Sequence, residues 1–342
     1  MADSSLPTRT DVAIIGAGPV GLFAVFECGM LKMSCQVIDA LDAPGGQCVA
    51  LYPEKPIYDI PGYPKIGATE LIDRLGEQAA PFNPVYKLGR QVETLTRQGD
   101  DWLLGLSDGS TAQARAVIIA AGVGAFGPNR PPLANLEQYE GRSVHYLVKR
   151  REDFRGKRVV IAGGGDSAVD WALSLADIAA KVMVVHRRDK FRAAPESARQ
   201  MKALADAGKI DIVVPYQLEA LEGANGQISH VVLKTLDGQI RKLEADALLA
   251  FFGLAMNLGP IAQWGLNLER NHIKVEQATS ATSSPGIFAI GDIATYPGKL
   301  KLILTGFAEA AAAAHGIYPL VHPGEVLHFE YSTTKGVPGA AG

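Results

Sequence analysis

Two glycine-rich turns with matching spacing are the residues of this sequence that are best suited to bind nucleotides. The first turn, GAGPVG, contains Gly16, Gly18 and Gly21, and the second, GGGDSA, contains Gly163 and Gly165. Each turn lies between an apolar run typical of a buried strand and a segment typical of a helix. In such a turn the glycines allow a tight bend and close approach to a pyrophosphate at the helix N-terminus. We therefore predict two dinucleotide-binding turns.

The residues that follow the second strand differ between the two repeats. The same interval separates Gly16 from Asp39 and Gly163 from His186. Asp39 is predicted to accept hydrogen bonds from a ribose diol, whereas basic side chains would pair with a 2′-phosphate. The second turn is therefore predicted to bind NADP(H), unless the basic segment is simply a solvated turn. The residues assigned to NADPH are Gly163, Gly165, Asp166, Ser167, His186, Arg187, Arg188 and Arg192.

Three further residues are candidates for contacts at the first turn. Gln47 follows a glycine pair and has an amide that can hydrogen-bond a cofactor edge. Tyr52 is placed to stack on an aromatic ring, although an aromatic residue here, taken alone, more often belongs to the core. Asp292 ends an apolar strand and could hold a polyol hydroxyl or cap a helix. The helix predicted from about Leu302 would direct its positive end towards a reduced, electron-rich ring.

The elements that position these residues indicate an α/β fold. Residues 11–40 and 158–187 each run strand, glycine turn, helix, strand, and further apolar strands are predicted at 116–120 and 286–290. Alternating polarity around Asp108-Gly109 and Asp237-Gly238 predicts two antiparallel hairpins. A helix is predicted to end at His315-Gly316. The fold class is two Rossmann-like, three-layer ββα, dinucleotide-binding domains.

Two composition breaks predict how the domains are arranged along the chain. Residues 124–132 are rich in Gly and Pro, and residues 279–285 are rich in Ser and Thr. The whole second turn lies between these breaks. The prediction is a first dinucleotide-binding domain from residues 1–125 and 281–342, with the NADPH-binding domain, residues 126–280, inserted into it.

Composition excludes several other kinds of protein. The 342 residues are 47% hydrophobic and 20% charged with a net charge of −3, so neither nucleic acid nor an anionic membrane is expected as partner. The three cysteines, Cys28, Cys35 and Cys48, lack metal-binding spacing, and no metal site is predicted. No signal peptide and no apolar run of membrane-spanning length is found, which predicts a cytoplasmic protein.

The order of these motifs resembles the two-dinucleotide-binding-domain flavoproteins of the thioredoxin reductase-like group over nearly the whole chain. Thioredoxin reductases carry a CxxC shortly before the second turn, whereas residues 143–149 of this chain contain no cysteine. The chain is therefore similar to the ferredoxin–NADP(+) reductases of this group. The matching segments are GAGPVG with Asp39, GGQ at 45–47, AAG at 120–122, GGGDSA, HRRDKFRA at 186–193 and AIGD at 289–292.

The resemblance implies one FAD per subunit of a homodimer. The C-terminal tail of one subunit would reach the flavin of the other, with Tyr331 as the stacking residue and His328 as its alternative, while Tyr52 covers a flavin face. Lys149, Arg150, Arg151, Arg155, Lys157, Arg158, Lys299 and Lys301 would form basic surfaces for an acidic ferredoxin, or simply solvated faces. The residues assigned to FAD are Gly16, Gly18, Gly21, Asp39, Gln47, Tyr52, Val92, Phe126, Asp292 and Thr333.

The activity implied by the resemblance is reversible electron transfer between NADP(H) and ferredoxin through FAD, with flavodoxin as an alternative acceptor. No nucleophilic side chain is assigned, because the flavin does the chemistry. A domain rotation is expected to bring nicotinamide to the flavin. The alternatives are an NADPH-dependent reductase of a disulfide protein or small oxidant, and a non-catalytic NADPH sensor.

Overall fold

The computed structural model describes residues 8–327 and residue 336, and the chain forms two compact units. The first takes its described residues from Met1–Phe126 and Met256–Gly342, and the second is Gly127–Ala255. The sequence predicted that the second domain extends to residue 280. It ends earlier in the structure because Leu258, Ile261 and Ile273 are buried in a core of the first unit.

The first of the two segments that form the first unit begins with alternating strands and helices and ends in antiparallel strands. The elements are β1 (Thr8–Ile15), α1 (Pro19–Met30), β2 (Cys35–Ile38), α2 (Gly46–Leu51), β3 (Pro56–Ile57), β4 (Ile66–Gly67), α3 (Ala68–Ala79), β5 (Val85–Lys87), β6 (Val92–Gln98), β7 (Asp101–Leu106), β8 (Thr111–Ile119) and β9 (Ala125–Pro128).

The second unit repeats the alternation and adds a small antiparallel sheet. Its elements are β10 (Val144–His145), β11 (Arg158–Ala162), α4 (Asp166–Leu175), β12 (Lys181–Val185), α5 (Pro195–Asp206), β13 (Ile210–Val213), β14 (Gln217–Ala224), β15 (Gln227–Lys234), β16 (Ile240–Glu244) and β17 (Ala247–Ala250).

The chain then returns to the first unit and ends its described part in a long helix. These elements are β18 (Leu254–Asn257), β19 (Leu268–Glu269), β20 (His272–Lys274), β21 (Ile287–Ala289), β22 (Ala294–Thr295) and α6 (Ile303–Val321). Short 3₁₀ turns occupy Ala80–Phe82, Leu136–Gln138, Arg151–Phe154, Gly259–Gln263 and Gly291–Ile293.

The main sheet of the first unit places the first glycine turn where a ligand can reach it. β1 lies between β2 and β8, and β5 and β21 extend this parallel part of the sheet. Val12 and Ile14 face the core that contains α1 and α6, whereas Ala13 faces the opposite core. Ligands in open α/β sheets bind beyond the carboxyl end of such a central strand, where the chain turns to opposite sides. Gly16 follows β1 at this end.

The second unit has the same design around its own glycine turn. β10, β17, β11, β12 and β13 form a parallel sheet in that order, and β11 carries the turn at its carboxyl end. Val159 and Ile161 face a core built with α4, and Val160 faces the core under β14, β15 and β16. Both faces of each sheet are therefore covered, and the predicted class of two Rossmann-like units is confirmed.

The predicted hairpins are present, but the last helix is longer than predicted. β7 pairs with β8 around Asp108-Gly109, and β15 pairs with β16 around Asp237-Gly238, both antiparallel. The sequence predicted that the last helix ends near Gly316, whereas α6 continues to Val321. A Cβ at Gly316 would lie 2.9 Å from the Phe288 ring. Glycine stands here because the helix packs closely on β21, and it does not end the helix.

Candidate dinucleotide-binding sites

The three glycines of the first turn have different surroundings. A Cβ on Gly16 would lie 2.4 Å from the Ala120 oxygen, and a Cβ on Gly21 would lie 2.0 Å from the Gly16 oxygen. Packing within the protein therefore requires both. A Cβ on Gly18 would meet nothing within 4 Å, and Gly18 is the residue that precedes α1. The open space at Gly18 lies at the positive end of a helix, which suits a pyrophosphate.

Asp39 is bonded to the first turn by both of its carboxylate oxygens. Oδ2 accepts a hydrogen bond from the Ala17 N–H at 2.6 Å, and Oδ1 accepts one from the Leu41 N–H at 2.8 Å. Burial raises the pKa of Asp39, while these two hydrogen bonds oppose the rise. Each carboxylate oxygen can accept a further hydrogen bond. Asp39 therefore shapes the turn and keeps acceptor capacity for a ribose diol.

The glycine pair after Asp39 packs against the first turn. The Gly45 N–H donates to the Ala17 oxygen at 2.8 Å, and a Cβ on Gly46 would lie 3.2 Å from the Gly18 Cα. Gln47 follows at the start of α2, and its Nε2 would lie 3.1 Å from a Cβ on Gly122. The predicted residues Gln47 and Gly18 are thus brought together by the backbone of the glycine pair.

Tyr52, Cys48 and Asp292 are close neighbours in the first unit. The Cys48 Sγ and the Tyr52 Oη lie 3.9 Å apart, one helical turn along the chain. Burial, and then the charge of Asp292, raise the pKa of the Cys48 thiol to about 11, although Tyr52 opposes the rise. Burial is also the main reason why the pKa of Tyr52 is raised, and Cys48 and Asp292 add to it. Tyr52 packs partly against the core that contains Cys48 and Leu22.

Asp292 lies in a short turn that a buried carboxylate holds in place. Glu309, in α6, is 4% exposed, and its Oε2 accepts a hydrogen bond from the Gly291 N–H at 2.7 Å. Its Oε1 accepts one from the Tyr296 hydroxyl at 2.7 Å and also contacts the Lys299 ammonium. Burial and Glu309 raise the pKa of Tyr296 to about 12. Sequence analysis missed this group, although an acid inside a buried helix requires a partner.

Of the remaining residues assigned to FAD, the structure describes Val92 and Phe126 but not Thr333. Val92 is 4% exposed and packs in the core with Leu106, so its side chain is part of the packing. Phe126 lies in β9, at the end of the first part of the first unit. His328, Tyr331 and Thr333 lie outside the described residues.

The second glycine turn shares the open middle position of the first, although Gly16 has a positive φ and Gly163 does not. A Cβ on Gly163 would lie 2.7 Å from the Phe251 oxygen, whereas a Cβ on Gly165 would meet nothing within 4 Å. Gly165 precedes α4 in an extended conformation, as Gly18 precedes α1. Ser167 is exposed in the first turn of α4. The open middle glycine at a helix start is therefore common to both units.

Asp166 and Arg192 connect this turn to the basic segment. The Asp166 Oδ1 accepts a hydrogen bond from the Ala194 N–H at 2.8 Å, and the Arg192 N–H donates to the Gly164 oxygen at 2.6 Å. Asp166 therefore holds the loop that carries Arg192. The exposed side chains of Arg187, Arg188 and Arg192 all lie near enough to influence His186.

His186 has a different environment from the arginines beside it. A Cβ on Gly164 would lie 2.3 Å from the His186 ring, and the ring centroid is 5.4 Å from that of Phe191. Burial, followed by the three arginine charges, lowers the pKa of His186. The neutral form of the imidazole is therefore favoured, and the ring covers the glycine turn. The positive charge at this site belongs to the arginines.

The proposed basic surfaces are less positive than the sequence suggests. The Lys299 side chain is 5% exposed and is paired with Glu309, so it is unavailable at the surface. The Lys301 Nζ lies 2.7 Å from the His272 Nε2. In the second unit, Arg155 and Arg158 form ion pairs at 2.7 Å with Glu152 and Asp246. Glu152 and Asp246 therefore offset positive charge of this cluster, and Asp246 is far from Arg158 in the sequence.

Neither a candidate membrane helix nor a candidate metal-binding cluster occurs among the described residues. Between residues 8 and 327, no helix is long and apolar enough to cross a membrane. The same residues contain no group of three or more His, Cys, Asp or Glu side chains arranged to hold a metal ion. The three cysteines are free thiols, all buried in the first unit.

The two turns and the two sheets define a protein with two dinucleotide-binding units in one chain. The chain belongs to the pyridine nucleotide-disulphide oxidoreductase family, whose model matches residues 10–315. This membership and the relatives described next confirm the resemblance that the motifs indicated.

Known proteins resemble the chain over nearly its full length. It is 67% identical over 331 residues to a protein of Paramagnetospirillum magneticum named ferredoxin–NADP reductase, covering 96% of this chain and 98% of that protein. A Rhodospirillum rubrum protein of the same name is 64% identical over 339 residues, covering 98% of each. The crystal structure of Lactococcus lactis thioredoxin reductase matches with a TM-score of 0.80 and 27% identity, covering 91% of this chain and 99% of that one.

Proposed function

We propose that this chain is an FAD-dependent ferredoxin–NADP(+) reductase, which moves electrons reversibly between NADP(H) and ferredoxin. The observation that carries the proposal is the contrast between two turns that share an open middle glycine at the start of a helix. Asp39 follows the first, and Arg187 and Arg188 follow the second. A carboxylate suits ribose hydroxyls, whereas guanidinium groups suit a 2′-phosphate. The names of the relatives that are 67% and 64% identical support ferredoxin as the partner.

The first unit is proposed to bind FAD. The open space at Gly18 fits a pyrophosphate at the N-terminus of α1, because no protein atom lies within 4 Å of a Cβ there. The acceptor capacity of Asp39 fits a ribose. Tyr52 and Asp292, which lie close together, are proposed to contact the flavin end of the molecule. The full set is Gly16, Gly18, Gly21, Asp39, Gln47, Tyr52, Val92, Phe126, Asp292 and Thr333.

The second unit is proposed to bind NADPH. Its open space at Gly165 fits the second pyrophosphate, and the exposed arginines fit the 2′-phosphate. Asp166 is proposed to act through the Arg192 loop, because its carboxylate is already bonded to the Ala194 N–H. The full set is Gly163, Gly165, Asp166, Ser167, His186, Arg187, Arg188 and Arg192.

A separate protein, and not a dithiol of this chain, is proposed to accept the electrons. All three cysteines of the sequence lie in the first unit and are buried. A hydrogen bond with Cys35, together with burial, raises the pKa of Cys28, and burial raises that of Cys48. The reactive thiolate form is therefore disfavoured, and the chain offers no dithiol relay. Bound FAD supplies the conversion between a two-electron hydride donor and a one-electron acceptor.

Three finer points extend the proposal. The resemblance supports a homodimer in which the C-terminal tail completes the flavin site. It also supports flavodoxin as a second acceptor, because that protein likewise accepts single electrons. The few cysteines, all free, support a cytoplasmic location. Sedimentation of the full chain tests the first point, and a sedimenting species of monomer mass would contradict it.

The decisive experiment is ferredoxin-dependent reduction of cytochrome c driven by NADPH, with NADH as the comparison donor. We expect a kcat/KM for NADPH at least about tenfold above that for NADH, because charge-assisted hydrogen bonds contribute about 1.5–3 kcal/mol. Equal use of the two donors would contradict the NADPH assignment. Turnover with thioredoxin and none with ferredoxin would contradict the acceptor.

A matched pair of variants locates the preference for NADPH. Arg188→Ala removes an exposed arginine beside the second turn, and Arg74→Ala removes an exposed arginine from α3 of the first unit. We expect Arg188→Ala to lower kcat/KM for NADPH by about 10-fold or more and to leave NADH almost unchanged. Arg74→Ala should change neither. Equal losses in both variants would show that the effect is not specific to the second turn.

A further inference from the structure

A buried polar group in the first unit connects three segments that are separate along the chain. Glu309 belongs to α6, Gly291 belongs to the turn that carries Asp292, and Tyr296 and Lys299 belong to the loop between them. The side chains of Glu309 and Lys299 are 4% and 5% exposed. Because a buried carboxylate without partners is strongly disfavoured, all three segments must keep their positions for the group to form.

The contact with Gly291 concerns the backbone directly. Gly291 has φ of +73°, a left-handed conformation that glycine adopts easily. Its N–H donates to the Glu309 Oε2 at 2.7 Å, and Asp292 is the next residue. Asp292 also lies close enough to Tyr52 and Cys48 to affect the pKa of both. The position of Glu309 therefore sets where the Asp292 carboxylate stands relative to Tyr52.

The Lys299 contact acts on the start of α6. Lys299 lies just before Ile303, the first residue of α6, and Glu309 lies in the second turn of the helix. The ion pair therefore draws the preceding loop onto the helix that follows it. The Tyr296 hydroxyl donates to the same carboxylate oxygen at 2.7 Å. One carboxylate thus fixes both the Asp292 turn and the approach to the helix N-terminus.

From this geometry we infer that Glu309, together with Lys299 and Tyr296, is a positioning group for FAD: it holds the Gly291-Asp292 turn in the form that binds the cofactor. The inference rests on the proposed function, in which Asp292 contacts FAD. Glu309 itself is too deeply buried to serve as a surface ligand. It acts through the Gly291 N–H.

Two double variants without a buried charge separate positioning from simple charge loss. Lys299→Met with Glu309→Gln keeps an oxygen that can accept from the Gly291 N–H, whereas Lys299→Met with Glu309→Leu removes it. Affinity is measured by titrating FAD into each full-length apo chain and following flavin fluorescence. We expect the dissociation constant to be at least about tenfold higher for the Leu variant than for the Gln variant. Equal constants would overturn the inference.

A second measurement distinguishes positioning from a general effect on stability. The thermal midpoint of each apo chain is recorded with and without saturating FAD. A positioning role predicts that Tyr296→Phe, the mildest change, reduces the rise in midpoint produced by FAD, whereas Glu70→Gln on the exposed face of α3 leaves the rise unchanged. If Tyr296→Phe lowered only the midpoint of the apo chain, Glu309 would have a merely structural role.

Coupling to Asp292 tests the route of the effect. If Glu309 acts through the turn, the Lys299→Met, Glu309→Leu pair should weaken FAD binding much less in an Asp292→Ala background than in the wild-type chain. Full multiplication of the two losses would overturn this route. A wild-type chain that bound no FAD would overturn the proposed function and the inference together. Wild-type affinity in the Glu309→Leu double variant would overturn the inference alone.

Discussion

Gly18→Ala and Gly21→Ala apply one chemical change to two glycines of the same turn, and the structure predicts opposite consequences. A Cβ at position 21 would lie 2.0 Å from the Gly16 carbonyl oxygen, where ordinary contacts begin at 3.4 Å. A Cβ at position 18 would meet nothing within 4 Å. Gly18 has φ of −72° and ψ of −179°, which alanine also adopts readily. The first change stresses the fold, and the second changes only the space in front of α1.

The magnitudes follow from these distances. At Gly21 the backbone of β1 or α1 must move by about 1 Å, and overpacking of this kind costs about 1–3 kcal/mol or more. We place Gly21→Ala at about 3 kcal/mol of lost unfolding free energy. At Gly18 the loss of a helix-capping residue and the lower backbone entropy of the unfolded chain oppose each other, so stability should change by less than about 1 kcal/mol.

Gly18→Ala should weaken FAD binding, although it should change stability little. If a pyrophosphate approaches the backbone at Gly18, the added methyl group occupies its place, at a cost of about 1–3 kcal/mol. That cost corresponds to roughly a 5- to 150-fold higher dissociation constant for FAD. The space in front of α1 thus predicts a variant that folds normally and binds its cofactor poorly.

The assay combines urea unfolding of the apo chain with fluorescence titration of FAD. Gly165→Ala provides the matched test in the second unit, where a Cβ would also meet nothing within 4 Å. It should weaken NADPH and leave FAD affinity unchanged. Unchanged FAD affinity in a folded Gly18→Ala chain would refute the argument that this open space receives the pyrophosphate. Normal stability of Gly21→Ala would refute the packing argument.

Three more predictions concern pH, ring packing and helix packing. Burial raises the pKa of Asp39 above its ordinary 3.8, so its contribution to stability is lost as pH rises above that value. Urea unfolding at several pH values should therefore show that Asp39→Asn gains stability relative to the wild type as pH rises, and a constant difference would contradict this. His186→Phe should keep kcat/KM for NADPH within about threefold, because the ring acts by covering the glycine turn, and a loss as large as that of Arg188→Ala would refute it. Gly316→Ala should not stabilise α6, despite a gain of about 1 kcal/mol in helix propensity, because its Cβ would lie 2.9 Å from the Phe288 ring. In a Phe288→Leu background the same change should become stabilising in thermal unfolding, and an unchanged sign would contradict the packing explanation.

The sequence was sufficient for elements whose signal is local. A glycine turn after an apolar strand and before a helix predicted both dinucleotide units, and Asp-Gly predicted both hairpins, because a few adjacent residues determine each. The end of the second unit depended on contacts far along the chain. Leu258 and Ile261 pack with Leu104, and no feature of residues 256–280 marks that partnership. The Ser- and Thr-rich segment that suggested the boundary is a loop inside the first unit.

Charged residues show most clearly why sequence alone was insufficient. Lys299 appeared to be a surface cation and Glu309 an acid within an alanine-rich helix. Burial makes each of them costly alone, so the presence of an acid in a buried helix already implied a hidden cation. The sequence could not identify that cation, because Lys301 stands only two residues from Lys299. The loop conformation decides between them: Lys299 turns inward to Glu309, whereas Lys301 contacts His272. Removing each ammonium in turn tests this account: in a fluorescence titration, Lys301→Met should leave FAD affinity unchanged, whereas Lys299→Met should lower it.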